Sequence, residues 1–389
     1  MQAKRQVIFF ILLNVCLFAG MVAFNYIIDP FCIFHKPIFK KPIFLGHEVF
    51  MNLGQIETFL KKTDDYDTIL LGTSHTENFL ADEITQALKS KGTLKLCLSG
   101  GYPVELEAIV QKALTTGKVK NIVWGFELFQ FILPAYTPHE SRIFPYHLYK
   151  NKLPLLFDAR VLRSSLKLLL LHYELKNIKF SWHYNNTLSS VYFYHNLPCI
   201  FDMHKRFVAP DTLKKSRDTR YHYDIFKCPN WDTTFSAIDT HLIPIIEAHP
   251  EIQFYIPIIP YSWIYFVSKG FENTEKIILC QRYLCKRASA FKNTRLYAFH
   301  TCQFPHNLAN YYNETHYHPD INRYVLYAIQ NNRHRLTMEN LEQHEQAMIE
   351  NLKAFEIKDA YPHMDSLEDI IRQEEAKSSP LDKPLLSHK

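Results

Sequence analysis

The sequence is poor in glycine and in charge. Of its 389 residues only 10 are glycine and 21% are charged, whereas 47% are hydrophobic and 14% are aromatic. This composition is typical of a chain with a buried core and excludes an extended disordered protein. The formal net charge is +5, and no basic stripe is interleaved with aromatic residues. Nucleic acid is therefore not expected as a partner.

The eight cysteines include no Cys-x-x-Cys pair, the spacing typical of structural zinc sites. Cys16 lies in an apolar segment and the other seven are scattered, so pairing outside the cytoplasm stays open, with one cysteine left over. His300, His306 and His318 have no acidic residue at metal-ligand spacing. We therefore expect neither a metal nor an organic cofactor.

Long apolar runs are missing after residue 28, but one precedes it. No charged residue occurs from Val7 to Ile28, and roughly 20 apolar residues are enough to cross a bilayer. No small-x-small cleavage site follows before Asn25–Pro30. Residues 1–28 are therefore predicted to be an uncleaved signal-anchor transmembrane helix, and a cleaved signal or a buried helix are the alternatives.

The charges that flank this segment bear on its orientation. Lys4 and Arg5 favour a cytoplasmic N-terminus, whereas lysines at positions 36, 40 and 41 on the far side oppose it. We expect a single-pass protein of the inner (cell) membrane. Its C-terminal domain would then be extracytoplasmic, which in a bacterium means periplasmic.

Beyond a connector at 29–63, the pattern alternates between strands and helices. Strands are predicted at 68–71, 93–98, 121–126, 252–259 and 295–299, and helices at 78–89, 103–114, 233–248, 274–291 and 319–329. This alternation predicts parallel βαβ units with right-handed crossovers, and hence an α/β domain. The domain would occupy 64–337 with an insertion at about 130–230, and 338–389 would be a charged helical and disordered tail.

Two short segments carry the candidate chemistry. Ser74 lies in the turn Gly72–His75 directly after a predicted strand, where a doubly wound sheet exposes a nucleophile at its carboxyl edge. His316 follows the last parallel strand and opens at the same edge, so it is the candidate base. An N-capping role for Ser74 and a solvated loop position for His316 are the alternatives.

In sequence and order, these segments resemble the SGNH/GDSL hydrolase superfamily, in particular its membrane-anchored periplasmic branch similar to alginate and teichoic-acid O-acylation proteins. The resemblance rests on Asn25–Pro30, Ile69–His75, Leu98–Gly101 and Tyr311–Tyr317. It implies a flavodoxin-like parallel sheet with helices on both faces. It also implies a serine-dependent esterase or O-acyltransferase acting on an acyl group of an envelope polysaccharide or glycolipid, possibly with a membrane-bound acyltransferase partner.

The remaining site residues are assigned by their expected roles. Asn313 would orient His316; the family usually has an acid there, so Glu314 or another carboxylate is an alternative. The Gly101 amide, with that of Ser74, would form the oxyanion hole. His75 and Glu127 are candidate substrate-binding residues. Glu127 follows the third predicted strand, where many members of the family have a conserved sequence block that supplies an Asn to the oxyanion hole.

Two non-catalytic functions remain open from the sequence. A degenerate site would suit a glycan-binding or assembly factor. The charged C-terminal helix together with the anchor would suit an interaction protein.

Overall fold

The computed structural model describes residues 2–30, 34–35, 64–98, 100–132, 153–159, 161–163, 165–166, 169, 235–269, 271–311, 314–355 and 365–377. Most of the expected connector, most of the expected insertion and the last twelve residues lie outside this set. Among the candidate site residues, so does Asn313.

The described part is built on a six-stranded sheet. Its strands are β1 Thr68–Gly72, β2 Thr93–Cys97, β3 Asn121–Trp124, β4 Gln253–Ile258, β5 Thr294–Ala298 and β6 Arg335–Leu336. The strand order is β2-β1-β3-β4-β5-β6. Every residue of β1 and of β2 is buried, as expected for parallel strands covered on both faces.

The first five strands are parallel, but β6 pairs antiparallel with β5. The expectation of a wholly parallel sheet is therefore corrected to a mixed sheet. His334, just before β6, has a left-handed φ of 53°, and its carbonyl accepts from the Ala298 N–H at 3.0 Å, which holds the start of β6 beside the end of β5.

Helices follow the strands in the expected alternation. They are α1 Gln2–Ile28, α2 Ala81–Leu88, α3 Pro103–Leu114, α4 Leu128–Ile132, α5 Ser236–His241, α6 Ile243–Ala248, α7 Trp263–Lys269, α8 Phe271–Ala288, α9 Pro319–Gln330, α10 Leu341–Ala354 and α11 Leu367–Ala376. By their contacts, α2, α9 and α11 form one group, and α3, α4, α5, α8 and α10 form another. The chain leaves β1 toward one side for β2 and returns past it to β3, so right-handed crossovers place α2 and α3 on opposite faces.

Several predicted boundaries are wrong for local reasons. The helix expected at 78–89 is a 3-10 turn, Thr76–Asn78, followed by α2, because Phe79 between them is extended with ψ 142°. The helix expected at 233–248 is divided into α5 and α6 at Leu242, ahead of Pro244. The third strand ends at Trp124, and Phe126 forms an isolated bridge to Ile258.

The N-terminal helix α1 is long and apolar enough to cross a membrane. Its final turns contact a 3-10 turn, Leu153–Phe157. The buried Asn25 side chain donates to the Leu156 carbonyl at 2.9 Å and accepts from the Ser165 hydroxyl at 3.1 Å. The helix end is thereby attached to a distant part of the chain.

The C-terminal helices α10 and α11 are part of the folded domain. Met348, Leu352 and Ile370 are buried in the same core as the sheet. The domain therefore does not end at 337 as expected, and the helical part of the predicted tail packs on it. Its predicted disordered end, from 378 onward, lies outside the described residues.

Candidate active site

A threonine holds the turn that carries Ser74. The Thr76 hydroxyl donates to the Thr73 carbonyl at 2.6 Å and lies 3.1 Å from the Cys97 sulfur. Its side chain sits against two glycines at the carboxyl ends of β1 and β3. A Cβ on Gly72 would lie 2.5 Å, and one on Gly125 2.1 Å, from the Thr76 methyl carbon. Gly72 also has a φ of +151°, so this turn depends on glycine both for space and for backbone conformation.

Neighbouring segments hold the loop that carries His316. Tyr311 and Tyr317 form an antiparallel bridge that closes the loop at its base. The Asn78 amide donates to the Tyr317 carbonyl at 3.0 Å, so the chain just after Ser74 binds the chain just after His316. On the other side, the Ser262 hydroxyl donates to the Glu314 carbonyl at 2.6 Å. The loop is thus attached both to the nucleophile segment and to the end of β4.

These two segments bring Ser74 and His316 together. The Ser74 hydroxyl oxygen lies 2.8 Å from His316 Nε2, although 242 positions separate them in sequence. Both side chains are partly exposed. Ser74 does not cap the following 3-10 turn, because the capping position is His75 and no side chain makes a capping hydrogen bond there. Of the two interpretations of Ser74, the geometry favours the one that pairs it with a base.

A second imidazole lies beside the first. The rings of His75 and His316 are stacked, with centroids 4.1 Å apart and planes inclined by 11°. His75 Nδ1 is 2.8 Å from a Glu127 carboxylate oxygen, and both side chains are buried. The ring N–H is not directed along this line, so the contact is an electrostatic one at ion-pair distance rather than an aligned hydrogen bond. Both predicted substrate-binding residues therefore lie in one cluster with the Ser–His pair.

Tyrosines surround the Glu127 carboxylate. Burial, together with the nearby negative charge of Glu127, raises the pKa of Tyr261 well above its usual value and does the same for Tyr317. Burial first, and then the charges of Glu314 and Glu127, raise the pKa of Tyr265 to about 12. These phenols stay protonated at neutral pH. The Tyr261 hydroxyl is hydrogen-bonded to Glu127, whereas the Tyr317 hydroxyl has no hydrogen-bond partner among the described residues.

Of the two backbone amides predicted to form the oxyanion hole, only that of Ser74 is available as a donor among the described residues. The Gly101 N–H donates to the Leu98 carbonyl at 2.8 Å, so the turn already uses this amide and the geometry does not support its assignment to the oxyanion hole. Within the described part of the chain, the backbone N–H of Ser74 donates to no carbonyl or side chain, which leaves it as a donor for a developing negative charge.

The orienting group for His316 is only partly described. Asn313, predicted for this role, lies outside the described residues. The Thr315 hydroxyl is 3.4 Å from His316 Nδ1, the nitrogen opposite the one that faces Ser74. Neither Thr315 nor Tyr261 was predicted from the sequence. Tyr261 lies just beyond the carboxyl end of β4, the edge of such sheets at which ligand-binding residues gather, so its position was the signal that could have identified it.

The fold and the site together define a class: an α/β protein with a mixed six-stranded sheet, a serine–histidine pair at the carboxyl edge of that sheet and an apolar N-terminal helix. Comparisons with models of known protein families, with curated proteins and with solved structures found no match to this chain.

Proposed function

We propose that this protein is a membrane-anchored, extracytoplasmic serine esterase or O-acyltransferase of the SGNH/GDSL type, acting on an acyl group of an envelope polysaccharide or glycolipid. The observation that carries the proposal is the 2.8 Å approach of the Ser74 hydroxyl to His316 Nε2. An unassisted serine hydroxyl is a weak nucleophile at neutral pH and needs a base within hydrogen-bond reach.

The strand order supports the flavodoxin-like fold that the resemblance implies. The five parallel strands follow the order 2-1-3-4-5, which is the order of flavodoxin-like doubly wound sheets. From β1 the chain adds β2 on one side of β1 and then β3 on the other, which places the topological switch point between β1 and β3; ligands bind such sheets at this point, outside the carboxyl ends of the strands. Ser74 follows β1 directly.

The chemistry follows from the atoms in place. The Ser74 oxygen attacks the carbonyl carbon of the acyl ester while His316 Nε2 takes the hydroxyl proton. The Ser74 N–H stabilises the oxyanion of the tetrahedral intermediate. The protonated His316 then gives its proton to the departing alcohol, leaving an acyl-Ser74 ester. Attack by water completes hydrolysis, and attack by a sugar hydroxyl completes transfer.

The contacts of α1 support retention of this helix as an anchor. Asn25 is fully buried between the Leu156 carbonyl and the Ser165 hydroxyl. A signal peptide that is removed has no reason to form specific buried contacts with the mature domain. Lys4 and Arg5 favour placing the catalytic domain outside the cytoplasm.

The experiment uses the full-length protein in detergent with a fluorophosphonate probe and p-nitrophenyl acetate. Wild type should be labelled and should hydrolyse the ester, whereas Ser74→Ala should lose both. Ser289→Ala is the matched control, because this exposed serine contacts only the Lys286 carbonyl in its own helix turn. Absence of labelling in folded wild type, or labelling that persists in Ser74→Ala, would contradict the proposal.

A second function, a non-catalytic glycan-binding or assembly factor, is favoured by two observations. The Glu127 carboxylate faces His75, and the Gly101 amide is used by its turn, so neither serves the Ser–His pair directly. This function predicts saturable glycan binding that survives Ser74→Ala, with no labelling of wild type by the probe. The same samples distinguish the two functions.

A further inference from the structure

Three side chains from distant parts of the chain form a second cluster, apart from the Ser–His pair. Cys302 lies in the turn after β5, His334 precedes β6 and Glu374 is on α11. All three are at least 98% buried. One potential ligand atom from each lies within 4.8 Å of the others.

The donor spacing suits a tetrahedral ion. The Cys302 sulfur is 3.8 Å from His334 Nδ1 and 3.9 Å from its Nε2, so these distances alone do not choose between the two nitrogens. Zinc–sulfur and zinc–nitrogen distances of about 2.3 and 2.0 Å at a tetrahedral angle give a sulfur–nitrogen separation of roughly 3.5 Å. A shift of a few tenths of an ångström would bring the two atoms onto one metal.

The surroundings of the cluster match those of a metal site. The Tyr324 hydroxyl lies 2.6 Å from His334 Nε2, which fixes the ring and assigns Nδ1 as the ligand nitrogen. A Glu374 carboxylate oxygen accepts from the Gln303 N–H. Hydrogen bonds of this kind from the remaining ring nitrogen and to the carboxylate are typical around metal-ligating histidines and acids.

Charge balance favours a divalent ion. Once a metal displaces the Cys302 proton, the thiolate and the Glu374 carboxylate would bring two negative charges to the ion, and buried charge is costly unless it is paired. One divalent cation with a neutral His334 makes the cluster neutral. Thiolate and imidazole ligands select zinc-like ions over Mg²⁺ and Ca²⁺.

We propose that Cys302, His334 and Glu374 bind a Zn²⁺ ion that joins α11 to the turn after β5. The sequence does not reveal this site, because its ligands are 32 and 40 positions apart and no short motif contains two of them. The site is independent of the proposed acyl chemistry, so Ser74→Ala should keep its metal.

The test measures metal in the full-length protein purified in detergent after expression with added zinc. We expect about one zinc per chain by mass spectrometry of the metal. Cobalt added to the chelator-stripped protein should give a thiolate-to-cobalt charge-transfer band. Cys302→Ser and Glu374→Gln should each lower affinity for zinc more than about 10-fold, and Tyr324→Phe by about 10-fold.

Cys285→Ser is the matched control, because Cys285 is an equally buried free cysteine on α8. It should keep both the zinc and the cobalt band. If Cys302→Ser does not fold, the zinc-dependent rise in thermal stability of stripped wild type decides in its place. The proposal is overturned if wild type neither retains zinc nor gives the cobalt band, or if folded Cys302→Ser keeps that band.

Discussion

The imidazole of His75 stacks on that of His316, with ring centroids 4.1 Å apart. The residue next to Ser74 therefore packs against the His316 ring, although the two rings are on segments far apart in sequence. The contact can fix the plane of His316 while its Nε2 faces Ser74. Under the proposed acyl chemistry, His75 would be a positioning residue, which is a more specific role than lining a substrate pocket.

This role predicts different effects for two substitutions at position 75. His75→Ala should slow labelling of Ser74 by roughly 2- to 10-fold, because stacked aromatic pairs contribute about 0.5–1.5 kcal/mol. His75→Phe should lose much less, since a ring remains. His316→Gln, which removes the base, should lose about 10²- to 10⁴-fold. The measurement is the rate of fluorophosphonate labelling.

A control is needed because His75→Phe leaves the Glu127 carboxylate without its imidazole neighbour. The double variant His75→Phe/Glu127→Gln removes that buried charge. If this folded double variant is as slow as His75→Ala, the stacking explanation is wrong.

Gly125 is predicted to be intolerant of a methyl group because of Thr76. The added carbon would lie 2.1 Å from the Thr76 methyl carbon. Gly125→Ala should therefore lower the free energy of unfolding by about 1–3 kcal/mol. Adding Thr76→Ser should recover most of the loss, since serine lacks that methyl but keeps the hydroxyl that binds the Thr73 carbonyl. Thermal unfolding of both single variants and the double variant measures the coupling, and simple additivity would contradict it.

Asn25 is predicted to be needed for attachment of α1 to the segment 153–165. Asn25→Ala removes the donor to the buried Leu156 carbonyl, and an unsatisfied buried group costs about 1–3 kcal/mol. Limited proteolysis of the full chain in detergent should then cut this segment faster. Asn14→Ala is the matched control, because exposed Asn14 donates only to Phe10 in its own helix. Equal proteolysis of the two variants would refute the attachment.

His306 is predicted to make stability depend on pH. Burial against Trp263 and Phe355, and then the charge of Lys377, lower the pKa of His306 from 6.5 to about 4. Above pH 6.5 the histidine is neutral in both states and contributes no pH dependence. As the pH falls from 6.5 to about 4, the unfolded chain takes up a proton that the folded one refuses. Stability therefore falls, by up to about 1.4 kcal/mol per pH unit.

The check is urea unfolding of wild type and His306→Phe at about pH 7 and about pH 5. The phenyl ring keeps the packing and cannot titrate, so the variant should lose less stability between the two pH values. An identical loss in both proteins would assign the dependence to other groups.

The sequence by itself determined the alternation of strands and helices, the apolar N-terminal helix and the identity of the Ser–His pair. These are local properties, or consequences of the rule that loops after parallel strands open at one edge of the sheet. The pairing of Ser74 with His316 could be predicted because Ser74 comes just after β1 and His316 lies in the loop region after β5. No detailed packing had to be known for this prediction.

Only the tertiary structure decided the rest. The antiparallel β6, the packing of α10 and α11 into the core, the stacking of His75 on His316 and the Cys302–His334–Glu374 cluster all depend on contacts between residues far apart in sequence. Hydrophobic periodicity and the rule for loops after parallel strands place segments at one edge of the sheet, but they do not determine these particular contacts. The Gly101 amide shows that sequence can also suggest a role that the structure does not support. A suitable glycine is present, but its N–H is bound within its own turn.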